Sequence, residues 1–288
     1  MFSGLLDLAV NVILVLLVVR FFLEDYTFYG LGPLLQTVYQ ITDFFCKPLQ
    51  PFFAPKSPKM QRAIPWLAIG LILVVRGLWW AFPGLSGDKS VPTLAVHGVC
   101  DSFLDFADMV YIVVVALLLA AVLLTKGGVV LYTSAGYQLF QEKTFRIMQI
   151  TQSYLHTHNL WRLFVGSVVW IAACHFVMAS LLSRGLFRGY GYLLGREALF
   201  QLGAASAILQ VYYFVLLVAI ITSWLSPDPR RPVVSVVRAL SEPYLRIFRI
   251  LCPWARVGII DFSPILAFFA LVLVQRILAD AAASIAKF

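Results

Sequence analysis

The sequence predicts an all-α fold: a polytopic transmembrane helical bundle of about six spans, built from three two-helix repeats with interfacial amphipathic helices between the spans. Three observations lead there: six long apolar stretches, basic residues confined to alternate loops, and an internal repeat near one hundred residues. Of the 288 residues, 61% are hydrophobic and 12% charged, with a mean hydropathy of +0.88. A soluble domain carries roughly a quarter charged residues, so lipid is the main solvent of this chain.

Crossing the hydrocarbon core takes ~20 mostly apolar residues, because each backbone N–H and C=O must be satisfied within its own segment. Leu5–Leu23 is the first stretch that qualifies. Met1–Gly4 has no basic side chain and the apolar run ends in Arg20-Phe21-Phe22-Leu23-Glu24-Asp25, so a retained span is expected here rather than a cleaved signal peptide. Ile64–Phe82 is the second. Met109–Leu124, the third, is short and is expected to extend past Thr125. Leu163–Leu182, Ile208–Leu225 and Ser263–Ala282 complete the set, with Pro83–Asp108 and Ser183–Ala207 read as connectors.

The net charge is +8, and its placement is informative. Loops Glu24–Ala63, Thr125–Arg162 and Ser226–Phe262 hold fourteen Lys and Arg residues, against four in the two connectors. By the positive-inside rule these three loops face the cytoplasm and both termini lie outside it. Basic residues set among apolar faces point to anionic headgroups rather than to nucleic acid.

A shift of 199 residues places Pro33 on Pro232, Thr42-Asp43 on Ser241-Glu242, Lys47 on Arg246 and Pro65 on Pro264. A shift of 99 or 100 brings in the middle of the chain, Asp43 falling on Glu142 and Glu142–Ile147 on Glu242–Ile247. Repeats at residues 1–83, 108–183 and 207–283 are expected, the middle one diverged and lacking both prolines. Within the third, Val233, Val236, Val237, Leu240, Tyr244, Ile247, Phe248 and Leu251 recur at helical spacing, interrupted by Arg238, Arg246 and Arg249. This pattern predicts a helix lying in the membrane interface. Pro232 suits its first turn, and Pro243 is expected to kink or divide it.

Ser223-Trp224 at the end of a span, Glu242-Pro243-Tyr244-Leu245-Arg246-Ile247-Phe248-Arg249, and Asp261-Phe262-Ser263-Pro264 at the start of the next span together resemble the conserved stretch of the YggT (YlmG) family. The resemblance covers roughly the last quarter of the chain. It implies an integral bacterial or plastid membrane protein of two-span units without known catalytic residues. Relatives are linked to cell division and envelope organisation, osmotic tolerance, and in chloroplasts nucleoid distribution and haem attachment to cytochrome b6. Common members carry two such units, whereas Thr125–Leu182 adds a third here, and repeat one keeps only the proline, in Arg62-Ala63-Ile64-Pro65. Apart from any resemblance, Ser263 before Pro264 reads as an N-cap ahead of a first-turn proline, with Asp261 favourable at the positive helix end.

The returning spans carry polar residues at one repeated depth: Arg76, His175 and Gln275, with Arg276 beside the last. Such residues snorkel to headgroups or converge on a polar pocket, and a cluster of these four is the expectation carried forward. His175 could ligate haem from inside a bundle, but no second axial ligand and no C-x-x-C-H site accompanies it. His156 and His158 lie on a loop without a Cys or acidic ligand nearby, and the four cysteines show no zinc-type spacing, so neither cofactor nor metal is expected. No Gly-x-Ser-x-Gly, P-loop or His-Glu-x-x-His motif occurs.

These features predict a non-catalytic scaffold or assembly factor of the bacterial inner membrane, with Arg238, Glu242, Arg246 and Arg249 facing lipid or a partner. A small transporter or osmotic channel is the alternative. The implied partners are anionic lipid, an unidentified membrane protein and a second copy of the chain.

Overall fold

The computed structural model describes residues 2–23, 33–53, 63–81, 91–126, 135–182, 190–225, 232–257 and 260–285. It is an all-α fold of helices α1 (Phe2–Leu23), α2 (Pro33–Cys46), α3 (Gln50–Phe53), α4 (Ile64–Ala81), α5 (Val91–Lys126), α6 (Ala135–Leu155), α7 (Leu160–Leu182), α8 (Tyr190–Leu225), α9 (Pro232–Leu251) and α10 (Ser263–Ile285). Between α9 and α10, two-residue strands pair antiparallel, Arg256 with Asp261 and Val257 with Ile260. Among the described residues, five helices are long and apolar enough to cross a membrane: Ile64–Ala81, Thr93–Lys126, Leu160–Leu182, Gly191–Thr222 and Ser263–Ile285. α1, with 22 residues, has the length for a further crossing.

The expected connectors are helical over much of their length. α5 and α8 have 36 residues each, about 54 Å at 1.5 Å per residue, well beyond a hydrocarbon core of about 30 Å. Their N-terminal halves carry the polar residues that hydropathy reads as loop. α9 runs as one helix through Pro243 rather than dividing there.

The chain divides into two compact units, Met1–Ala107 and Asp108–Phe288, the division falling inside α5. In the first unit α1 packs on α4 and α2 lies against both. Leu14, Leu17 and Leu73 are fully buried there. α4 meets the N-terminal part of α5 at Gly77 and Gly98, where a Cβ on Gly98 would sit 2.1 Å from the Gly77 carbonyl oxygen. Only glycine permits this approach, the small-residue contact by which membrane helices gain packing where lipid supplies no hydrophobic drive.

In the second unit, Tyr111, Val115 and Ala204 form one core with Phe164, Val168, Ile171 and Phe200 around them, joining α5, α7 and α8. Leu118, Val122 and Met148 form another between α5 and α6. A third consists of Leu216, Leu245, Ala267 and Leu271, where α8 and α10 pack along their lengths and α9 rests on both. α6 ends with His156 in the left-handed region at φ 47°, and α7 begins beyond Asn159, whose Oδ1 accepts from the Trp161 N–H at 3.0 Å as an N-cap does.

The cap of α10 differs by one residue from expectation. The Phe262 carbonyl accepts from the Leu266 N–H at 3.3 Å, so Phe262 holds the N-cap position and Ser263-Pro264 the first two helical ones. α4 starts the same way: the Ala63 carbonyl accepts from the Leu67 N–H at 3.1 Å ahead of Ile64-Pro65. A proline at the second helical position costs no bond, because the first four N–H groups of a helix have no partner within it.

Candidate functional site

α9 carries the sequence-predicted lipid- or partner-facing residues. Its inner row, Ala239, Ser241 and Leu245, is buried. Two phenols fasten that row to the spans: the Tyr212 hydroxyl donates to the Leu240 carbonyl at 3.0 Å, and the Tyr244 hydroxyl to the Ala267 carbonyl at 2.9 Å. The rings of Tyr212 and Tyr244 meet edge to face with centroids 5.8 Å apart. Burial holds the Tyr244 phenol above its ordinary pKa, so it stays a donor.

The outer row is of another kind. Ile247, Ile250, Leu251 and, just beyond α9, Trp254 are 51, 69, 67 and 71% exposed, with Arg238 and Arg246 exposed beside them. Glu242 pairs with Arg249 two turns on at 2.5 Å, which engages one of the three expected lipid-facing arginines within the helix. Pro243 is half-buried, Phe262 exposed, and Ser263 and Pro264 buried. Ser223 and Trp224 belong to the last turn of α8 and Asp261 to the short strand pair, and the side chains of these three lie outside the described residues.

In the first unit α2 is fastened to its span by charge. Arg20 donates to Thr42 Oγ1 at 2.9 Å and to Asp43 at 2.7 Å, and its guanidinium lies 4.8 Å from the centre of the Tyr39 ring. Lys47 reaches Asp43 at 3.1 Å. Burial works to raise the Asp43 carboxyl, but the hydrogen bonds from Arg20 and Lys47 prevail and hold it below the usual carboxylate value.

Arg76 is buried in the first unit, which the snorkelling alternative did not require. It pairs with Asp105 of α5, donates to Asn11 Oδ1 at 2.7 Å and lies 4.1 Å over the Trp80 ring, whose Nε1–H donates to Asp7 at 3.1 Å. His175, buried in the second unit, faces Asp108 through Nε2 at 2.7 Å and Glu197 through Nδ1 at 3.1 Å. Within its own unit, Arg76 thus meets an acid of α5, and His175 meets acids of α5 and α8. On α10, Gln275 is half-buried and Arg276 exposed.

Sequence reasoning missed Asp105, Asp108 and Glu197 because it placed them in connectors or at their edge. The signal was present: Asp101, Asp105 and Asp108 follow helical spacing among Phe103, Leu104 and Phe106, and Glu197 stands four residues before Gln201. His158 Nδ1 meets Gln152 Nε2 at 3.1 Å, so His156 and His158 belong to the α6–α7 turn. Among the described residues no group of three or more His, Cys, Asp or Glu could hold a metal ion.

The α8–α9–α10 arrangement coincides with residues 199–282, over which the CCB3/YggT family model matches. This part of the chain belongs to the CCB3/YggT family. An uncharacterized protein of Pseudomonas aeruginosa is 37% identical over 76 residues, which span 26% of this chain and 38% of that relative. No solved structure matches the chain. The YggT-type segment thus comprises two long helices and the amphipathic α9 fastened across them, within a membrane protein.

Proposed function

We propose that this YggT-type protein is a non-catalytic scaffold or assembly factor of the bacterial inner membrane that works through its membrane-lying helices. The observation that carries the reading is the two-sided character of α9, whose buried inner row opposes an outer row of exposed Ile247, Ile250, Leu251 and the following Trp254, interleaved with Arg238 and Arg246. Such a face is costly in water and suits the headgroup boundary, where apolar side chains enter the membrane and arginines meet phosphate. The fourteen-to-four distribution of basic residues supports a cytoplasmic location for α2, α6 and α9 and an external one for both termini. Matching helix starts at Pro33 and Pro232, and at Ile64 and Ser263, support the two-span repeat as the building unit.

A transporter is the second reading, favoured by the ionisable residues buried in the spans, Arg76 and His175 above all. The described span helices run unbroken, without the discontinuity by which many transporters form a midplane site. Two measurements separate the readings. A photo-cross-linker at position 250 in intact cells should give a discrete adduct with another membrane protein, and proteoliposomes should show solute flux at background. Flux above background that disappears in Asp105→Asn, with no protein adduct, would replace the scaffold with a transporter.

A further inference from the structure

His175 lies between two carboxylates in the second unit, only 4% exposed. Its Nε2 is 2.7 Å from Asp108 Oδ1, and its Nδ1 is 3.1 and 3.3 Å from the two oxygens of Glu197. Phe200 stacks on the ring with centroids 4.2 Å apart, and Tyr111 approaches to 5.2 Å. From α5 the ring therefore meets Asp108 and Tyr111, and from α8 Glu197, whose chain neighbour is Arg196.

This arrangement counts protons. A neutral imidazole has one N–H and one lone pair, while an ionised carboxylate only accepts. With a neutral ring and both carboxylates ionised, one ring nitrogen would aim its lone pair at a carboxylate lone pair within 3.1 Å, with the ring itself buried. An unmade hydrogen bond at a buried polar group is strongly disfavoured. One further proton removes the conflict, either on the ring as imidazolium or on one carboxyl as an acid that donates to the ring. Both placements leave the trio with a single negative charge.

We propose that His175, Asp108 and Glu197 form a proton-binding site, which holds one proton beyond a neutral ring and two carboxylates and thereby clamps α5, α7 and α8 together. The ring nitrogens point away from each other, so the two carboxylates cannot converge on one metal ion. Gln201 Nε2 donates to Glu197 at 2.7 Å, and Gln201 Oε1 accepts from the Tyr111 hydroxyl at 2.5 Å. An amide orients such an arm but does not pass a proton along it. The proton therefore enters and leaves through Asp108, the more exposed carboxylate at 29% against 14% for Glu197.

The test uses the full chain in lipid nanodiscs, with nitrogen-labelled histidine and carbon-labelled Asp and Glu, and His175→Gln to assign the ring. Near neutral pH the expected spectrum shows two protonated ring nitrogens, or one together with a protonated carboxyl. Loss of that proton should move to lower pH by about one unit or more in Asp108→Asn and in Glu197→Gln, since each removes a negative charge beside the ring. A wild-type ring with one protonated nitrogen facing two ionised carboxylates would overturn the proposal without reliance on any variant. Titration unchanged in both variants would overturn it as well.

Discussion

The α1–α2–α4 group of the first unit and the α8–α9–α10 group of the second share a plan and differ in how the amphipathic helix is fastened. At the N-terminal joint, Arg20 donates a hydrogen bond to the Thr42 hydroxyl and forms an ion pair with Asp43. At the C-terminal joint, neutral phenols bond to main-chain carbonyls, and the ion pair Glu242–Arg249 stays within α9. The positions related by 199 residues, Thr42 with Ser241 and Cys46 with Leu245, are buried in both groups. Burial of the inner row is thus common to the two joints, while the polar fastening was solved twice with different chemistry. Carboxylates titrate in acid and phenols do not, so the joints should separate under mild conditions.

The largest effect is expected from Arg20→Ala, which leaves the buried Thr42 hydroxyl and the Asp43 carboxylate without the guanidinium. Hydrogen bonds to charged groups contribute about 1.5–3 kcal/mol, and a loss of that order in reversible unfolding from mixed micelles should accompany faster hydrogen exchange in α2. Exchange in α9 should not change. A variant that loosened α9 equally would show that the two groups do not respond separately.

Acidification probes the same joint from the other partner. The Asp43 carboxyl is held below its ordinary value, so its stabilising contribution is present above the unfolded carboxylate pKa of about 3.9 and is lost as pH falls through the lower folded value. Hydrogen exchange should therefore rise in α2 at low pH and vanish as a pH effect in Asp43→Asn. The Tyr244 phenol, raised by burial, stays protonated throughout this range, so α9 should show no matching transition.

Tyr244→Phe gives the smallest effect. It removes one neutral hydrogen bond to Ala267 while keeping the ring, a loss of about 0.5–1.5 kcal/mol read in the same unfolding assay. The loss should be independent of salt, unlike that of Arg20→Ala.

Much of this plan is legible in the sequence. Long apolar runs mark the spans to within a few residues at the ends that adjoin the arginine- and lysine-rich loops, because hydropathy is a local property that lipid enforces. Prolines mark helix starts at Pro33 and Pro232 because a first-turn proline sacrifices no hydrogen bond. The N-terminal halves of α5 and α8 escaped notice since their polar residues lower the hydropathy that announces a span. Asp105, Asp108 and Glu197 were missed for a second reason: the groups that face them, Arg76 and His175, come from other helices and leave no trace in the local pattern. Shared depth singled out Arg76 and His175, but depth carries no information about helix rotation, so it could not name the acids that each of them faces.

An α9 that lies in the membrane interface is central to the proposed function, and the depth of position 250 tests this most directly. A spin label on Ile250→Cys, in a variant lacking the native cysteines and held in anionic nanodiscs, should be more accessible to oxygen than to a water-soluble nickel complex. It should sit about 5–10 Å below the headgroup boundary, as an interfacial helix does. Nickel accessibility equal to that of a water-exposed loop, with or without anionic lipid, would contradict the account.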